Sequence, residues 1–132
     1  DILNEVVITG TGRVVYSSSI PLTIFSDSQL IFDKNTTFRY EPINNSRTNL
    51  ILQDQMALLA FNSASFSTFA SGIQLTNGTI RFDGFCQLSN QGASAGTSIE
   101  FGNGTFANNC CVQWLPACVV DILSGYIRYN NV

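Results

Sequence analysis

The sequence contains no histidine, a single lysine and few charged residues of either sign. Charged residues make up 11% of the 132 residues, whereas ordinary soluble domains contain about 25%. Without histidine, the chain lacks the most common general base and the most common zinc ligand. The composition therefore favours a protein that is not an enzyme and that has no cofactor and no metal site.

Basic patches and long apolar runs are also missing. The formal net charge is −3 and the arginines are scattered along the chain, so we expect neither nucleic-acid binding nor a polybasic membrane signal. The longest apolar run, Met56 to Phe61, is much shorter than the roughly 18 residues that a membrane span requires. We therefore predict no membrane insertion.

The N-terminus carries no visible signal peptide, and the sequence begins at Asp1 rather than at a methionine. We interpret the chain either as a processed, secreted protein or as a piece of a longer one. The even number of cysteines, four, is typical of disulfides in an oxidising compartment, with buried free thiols as the alternative. The predicted location is extracellular or at the cell surface.

Hydrophobic residues make up 45% of the chain, and serine, threonine, asparagine, glutamine and glycine dominate the remainder. These polar residues compete with a helical backbone for hydrogen bonds, so the mixture favours strands and turns. Short alternating strands recur at steps of 20 to 26 residues. The first strand of each repeat is predicted at 6–8, 30–32, 50–52, 73–75, 99–101 and 121–123.

A second strand follows each first strand after a short turn, and a third strand is clear in four repeats. The second strands are predicted at 14–16, 38–40, 59–61, 80–82, 106–108 and 127–129, and the third strands at 21–25, 65–69, 85–88 and 110–114. Three of the second strands place an arginine between two apolar residues: 38–40, 80–82 and 127–129. Because side chains alternate along a strand, we expect the apolar pair to face the core and the arginine to face solvent.

The turns before several second strands share a chemistry. Asn35, Asn77 and Asn103 each begin an Asn-x-Thr turn, and two of these turns contain Asn-Gly, which accommodates positive φ. Asparagine side chains stacked at one corner can hydrogen-bond along the column. The pattern predicts a corner ladder of these three residues.

Together, the repeated strands, the Asn-Gly-Thr corners and the β-branched or aromatic inward positions resemble the right-handed parallel β-helices of autotransporter passengers and filamentous-haemagglutinin-like adhesins of bacterial surfaces. The resemblance is architectural and covers nearly the whole chain, from about Val6 to Tyr129. It implies an all-β fold, with residues 1–132 forming a single β-solenoid domain of about six coils. An antiparallel jelly-roll sandwich is the alternative fold.

Alignment of the repeats places Cys86 beside the strand that begins at Cys110 and Cys111, one coil later. Adjacent coils lie roughly 4.8 Å apart, which suits a disulfide. We therefore expect a bond from Cys86 to Cys110 or Cys111. Cys118 would bond the remaining cysteine or another chain.

The two ends of the sequence show no polar cap. Asp1, Ile2 and Leu3 are strand-like and repeat the pattern at 121–123, while the last repeat stops at Asn131 and Val132. Since exposed strand edges pair with other chains, we expect copies to stack head to tail as a homopolymeric filament or stalk. A fragment of a longer solenoid is the alternative.

Two other functions compete with the structural filament. One is a module that binds surface glycans as an adhesin. The other is a small polysaccharide-degrading enzyme whose carboxylates, Asp33 and Asp54, meet at one corner. We expect instead that these aspartates accept hydrogen bonds from turn amides.

Overall fold

The computed structural model describes residues 1–92 and 97–132, apart from the side chain of Thr97. In this part of the chain the structure is all-β, with fifteen strands and no helix. The strands are β1 (Glu5–Ile8), β2 (Arg13–Tyr16), β3 (Leu22–Ile24), β4 (Gln29–Phe32), β5 (Thr37–Tyr40), β6 (Leu50–Leu52), β7 (Leu58–Asn62), β8 (Ser65–Phe69), β9 (Ile73–Leu75), β10 (Thr79–Asp83), β11 (Phe85–Gln91), β12 (Thr97–Phe101), β13 (Cys111–Trp114), β14 (Val119–Ile122) and β15 (Tyr126–Tyr129).

The strands form three stacked faces. Sheet 1 has the order β1-β4-β7-β10-β13, and sheet 2 has the order β2-β5-β8-β11-β14. The third face consists of the pair β3-β6 and the triplet β9-β12-β15. Every pairing between the described strands is parallel, so this part of the chain does not have the antiparallel pairing of the jelly-roll alternative.

Three consecutive strands, one from each face, make up one rung of the stack. The described strands form five rungs rather than the six that we expected. Five equivalent inward residues of sheet 1, separated by 24, 29, 21 and 32 residues, mark the rungs: Val6, Leu30, Leu59, Ile80 and Val112. The turns differ so much in length that the predicted first strands lie on all three faces, and 106–108 is not a strand.

Aromatic rings fill the core in two neighbouring columns. On sheet 1, Phe32, Phe61 and Phe82 stack at centroid distances of 5.5 and 5.7 Å. On sheet 2, Phe38 and Phe66 stack at 5.4 Å, and each lies 4.8 Å from the sheet 1 ring of its own rung. Because the rung spacing is close to the preferred distance between offset aromatic rings, parallel stacking and aromatic packing stabilise the same arrangement.

The expected alternation around the arginines is confirmed in the inner rungs. Phe38 and Tyr40 are buried while Arg39 between them faces outward, and Ile80 and Phe82 are buried on either side of Arg81. In the last rung, Tyr129 is 64% exposed. Its position in the column is the same, since Tyr129 is in register with the buried Phe101, but the described chain places no further rung over it.

A loop inserts into the third face and adds an ion pair between a partly exposed arginine and a buried glutamate. The backbone oxygen of Arg47, in the turn between β5 and β6, accepts a hydrogen bond from the Gln74 amide. The Arg47 guanidinium lies 2.8 Å from a carboxylate oxygen of the buried Glu100, and Asn130 donates to the other oxygen. Burial alone raises the pKa of Glu100, but the hydrogen bonds from Arg47 and Asn130 and the nearby arginine charges lower it overall.

Candidate functional site: the open end faces

The predicted disulfides do not form, because no two cysteines lie at bonding distance and all four are free thiols. Cys86 lies on β11, and on the next rung it is in register with Val120 of β14. Cys111 begins β13, which pairs with β10 instead. The prediction was wrong because the step from β10 to β13 is longer than the repeat spacing that we assumed.

Two of the thiols are core residues. Cys86 and Cys110 are buried, and burial raises the pKa of both, to about 12 for Cys110. A thiol with a raised pKa stays protonated at neutral pH and is a poor nucleophile. Cys111 and Cys118 are only partly buried.

The predicted asparagine ladder is also corrected. Asn35 lies in the turn between β4 and β5, whereas Asn77 and Asn103 lie in the β9–β10 and β12–β13 turns. Asn77 accepts from the Gly78 amide at 2.9 Å and donates to the Gln53 carbonyl at 2.9 Å. Asn103 instead accepts from the Thr105 hydroxyl at 2.8 Å. The three asparagines therefore do not share one corner.

No motif in the sequence indicates the corner column that does exist. In the turns from sheet 1 to sheet 2, the residues Asn35, Ser63, Gly84 and Ala117 have φ values of 65, 51, 66 and 64°. The Asn35 amide donates to the Ser63 carbonyl, which links neighbouring rungs. Left-handed φ values are uncommon for serine and alanine. Because four different residue types occupy this position, the repeated conformation cannot be recognised from the sequence.

The two aspartates of the enzyme alternative lie at different corners. Asp33 follows β4 and accepts a hydrogen bond from the Lys34 amide, while Asp54 follows β6 and accepts one from the Met56 amide. Both carboxylates thus have the backbone partners that we expected. Among the described residues, no cluster of three or more His, Cys, Asp or Glu side chains is placed to hold a metal ion.

The first rung leaves an apolar face open. Inward residues of all three of its strands line a cavity of about 270 Å³, whose floor is formed by the core residues of the second rung. The lining includes Ile2, Val6, Ile8, Val14, Tyr16 and Leu22. The backbone edges of β1 and β2 on this side have no strand partner among the described residues.

The last rung leaves a second apolar face open. Trp114 and Ile122 are 47% and 43% exposed, although they are in register with the buried Phe82 and Leu88 of the rung before. Within the described chain, β13, β14 and β15 are the outermost strands of their sheets. Both end faces therefore present core columns and strand edges together.

The predicted end residues make contacts within the chain. Ile2 forms a parallel bridge with Ile24, so it occupies the free edge of β3. The Asn131 side chain both accepts from and donates to the backbone of Cys110, and Asn109 exchanges two hydrogen bonds with the backbone of Val132. Asp1 and Leu3 are exposed.

A line of polar side chains connects the two end faces along the outside of sheet 2. The in-register positions are Arg13, Thr37, Ser65, Gln87 and Asp121. A positive charge therefore stands at one end of this line and a negative charge at the other.

Among the described residues, no helix is long and apolar enough to cross a membrane. Comparison of the chain with protein-family models, with curated proteins and with solved structures finds no match.

Proposed function

We propose that this chain is a right-handed β-solenoid that serves as a non-catalytic, extracellular structural protein, its copies stacking head to tail into a filament or surface stalk. The observation that supports stacking is the pair of open end faces, which expose the same core columns on unpaired strand edges. The right-handed winding follows the strong preference of parallel crossovers within one sheet. The extracellular location relies on the architectural resemblance alone.

The two faces match when β13 and β14 of one copy continue onto β1 and β2 of the next. Extending the register of sheet 1 places Val112 against Val6 and Trp114 against Ile8. Extending that of sheet 2 places Ile122 against Val14. Every such contact is apolar on apolar, so the junction would bury the surface that each face now exposes.

Charge complementarity selects the same register. The outward line that ends at Asp121 in one copy would continue at Arg13 in the next. Opposite charges in neighbouring strand positions stabilise a pairing, whereas like charges oppose it. A slip by one residue would turn the apolar columns outward and separate this pair.

One part of the junction requires a rearrangement. The place that β15 of the neighbouring copy needs, beside β3, is already taken by Ile2. Only two backbone hydrogen bonds hold Ile2 there, at 2.7 and 3.0 Å. We infer that residues 1–4 leave β3 when a longer strand replaces them, so that they compete with stacking.

A contact between two different faces of the same chain does not close on itself, and it therefore propagates into a filament. Five rungs at a spacing of roughly 4.8 Å give an axial rise of about 24 Å for each copy. The role of such a filament is mechanical, and no chemical step is proposed for it.

Sedimentation velocity and negative-stain microscopy test this proposal. We expect mass to increase with concentration and filaments to appear with the repeat of one subunit. Ile122→Lys places a charge on an inward end position that is already partly exposed, so it should abolish association and leave the monomer folded by circular dichroism. Val119→Lys is the matched control, because Val119 is 55% exposed on the outer side of the same strand.

Two results would overturn the proposal. One is that the protein forms nothing but compact monomers at the highest attainable concentration. The other is that the two lysine variants change association equally. Removal of residues 1–4 sharpens the test. If these residues compete with β15 for the edge of β3, the shortened chain associates at lower protein concentration than the full chain.

A further inference from the structure

The outer side of sheet 2 carries a polar groove, and of the residues that line it stacking uses only Arg13. It has a volume of about 120 Å³ and runs across neighbouring rungs, with Arg13 and Arg39 at one end and Gln87, Ser89 and Leu123 towards the other. Ser65 and Ser67 lie between them, on β8. Small hydroxyl residues leave the floor low, while the longer side chains of arginine and glutamine stand beside it.

Ser67 is the least expected residue of this groove. It is only 6% exposed, and its hydroxyl has no hydrogen-bond partner among the described residues. A buried hydroxyl without a hydrogen-bond partner destabilises the folded protein. On the outward side of a strand this cost is easily avoided with alanine, so the unpaired hydroxyl is a candidate contact for a polar ligand in the groove.

Arg39 is held in place beside this hydroxyl. Its Nε lies 2.8 Å from a carboxylate oxygen of Glu41, as an ion contact rather than a well-aligned hydrogen bond, and its guanidinium lies 5.7 Å from the centre of the Phe69 ring. A guanidinium fixed by an aromatic ring and a carboxylate loses less freedom when it binds an anion. Its other nitrogens remain available as donors.

We propose that this groove binds an acidic oligosaccharide, with Arg39 contacting a sugar carboxylate and Ser67 and Gln87 contacting sugar hydroxyls. The three rungs that contribute these residues span about 10 Å, which suits a short stretch of sugar chain. Most of the residues that line the groove are polar, unlike those of a site for an apolar ligand. The groove lacks the exposed aromatic platforms and dense positive charge that bind single-stranded nucleic acid.

Isothermal titration with tetragalacturonate, with the neutral maltotetraose and with a sulfated tetrasaccharide of the same length tests the proposal. We expect saturable binding of tetragalacturonate and none of the neutral sugar. Weaker binding of the sulfated sugar would show preference for a carboxylate. Arg39→Gln should weaken the binding of tetragalacturonate about tenfold, because a charge-assisted hydrogen bond is lost.

Ser67→Ala provides the sharper variant. It should weaken binding about fivefold, the size expected when a neutral hydrogen bond is lost, while the free protein unfolds at the same or a higher denaturant concentration, since the unpaired hydroxyl is gone. Arg81→Gln is the matched control for Arg39→Gln, because Arg81 faces outward on sheet 1 and does not line the groove.

The proposal is overturned by three results. The first is no binding of tetragalacturonate at concentrations on the order of 10 mM, well above the range of useful specific binding. The second is equal binding of the neutral sugar. The third is an equal loss of affinity in Arg81→Gln and Arg39→Gln, which would show that only the overall charge matters.

Discussion

The inner rungs and the end rungs of this protein use similar residues in the same columns, yet their burial differs completely. Phe32, Phe61 and Phe82 are all fully buried, whereas Trp114, the next ring of that column, is half exposed. The difference shows that neighbours above and below, rather than the composition of a rung, create the core. Stability in such a stack is a sum of contacts between nearest neighbours.

The largest effect expected from this comparison concerns the aromatic column of sheet 1. Phe61→Ala removes a ring that packs against rings above, below and beside it, and should cost about 3–5 kcal/mol of unfolding free energy. Trp114→Ala at the end of the column should cost about 1–2 kcal/mol, because roughly half of that side chain is already in water. Urea unfolding measures both, and equal losses would contradict the stacked core.

The next effect concerns the close approach of two rungs at Gly78. This glycine has a φ of 80°, and a Cβ added to it would overlap the side chain of Leu52. Gly78→Ala should therefore cost about 3 kcal/mol through backbone strain and overpacking. Gly12→Ala is the control on the open first rung, since nothing lies within 4 Å of its added Cβ. Its cost should stay within about 0.5 kcal/mol in the same unfolding experiment.

Two stacked tyrosines, one in an inner rung and one in the first rung, allow the two regions to be compared by removing a single hydroxyl oxygen from each. The Tyr40 hydroxyl donates to the Ser46 carbonyl and accepts from the Asn49 amide, and burial raises the pKa of Tyr40 to about 12. Tyr40→Phe leaves the amide unpaired and should cost about 1–2 kcal/mol. Tyr16→Phe, on the partly exposed first rung, removes a hydrogen bond that water can replace. A smaller loss for Tyr16 in thermal unfolding supports the account, and a larger one counts against it.

The smallest effect is a dependence of stability on acid. The pKa of Glu100 is lowered below its ordinary value of 4.5 in the folded state, so its charge stabilises the fold fully above that pH. The contribution disappears as pH falls through the lowered pKa. Glu100→Gln should cost about 1 kcal/mol at pH 7, because Arg47 is partly exposed to water.

Urea unfolding at a series of pH values distinguishes this ion pair from a general charge effect. The difference between Glu100→Gln and the original chain should shrink below pH 4.5. Asp27→Asn, at an exposed turn position away from both end faces, serves as the control and should show no comparable trend. A constant difference for Glu100→Gln down to acidic pH would exclude the proposed role of its charge.

The sequence predicted most strand positions because alternation within a strand is a local property, as in the triplets around Arg39 and Arg81. It did not predict which face each strand joins. That assignment depends on turn length, and the nine residues between β5 and β6 displace every later strand in the count. The predicted pairing of Cys86 failed because another nine residues, between β12 and β13, lengthen the step from β10 to β13.

Other features were hidden because they depend on contacts between distant segments. Arg47 and Glu100 are far apart in the sequence, and neither residue lies in a motif that predicts their ion pair. The unpaired hydroxyl of Ser67 is similar, since serine on the outside of a strand is ordinary until its burial is known. The sequence placed the assembly ends at residues 1–3 and 131–132, whereas the exposed core columns end at Trp114 and Ile122, whose place depends on the register between rungs.

Parallel stacking of the rungs can be tested most directly by NMR couplings transmitted through backbone hydrogen bonds. Between β4 and β1 the structure predicts couplings from the amides of Gln29 and Asp33 to the carbonyls of Asn4 and Ile8, respectively. Between β13 and β10 it predicts couplings from the amides of Cys111 and Leu115 to the carbonyls of Gly78 and Phe82. These partners advance together along the chain, as they must between parallel strands. Couplings whose partners instead move in opposite directions along two consecutive strands would contradict the stack.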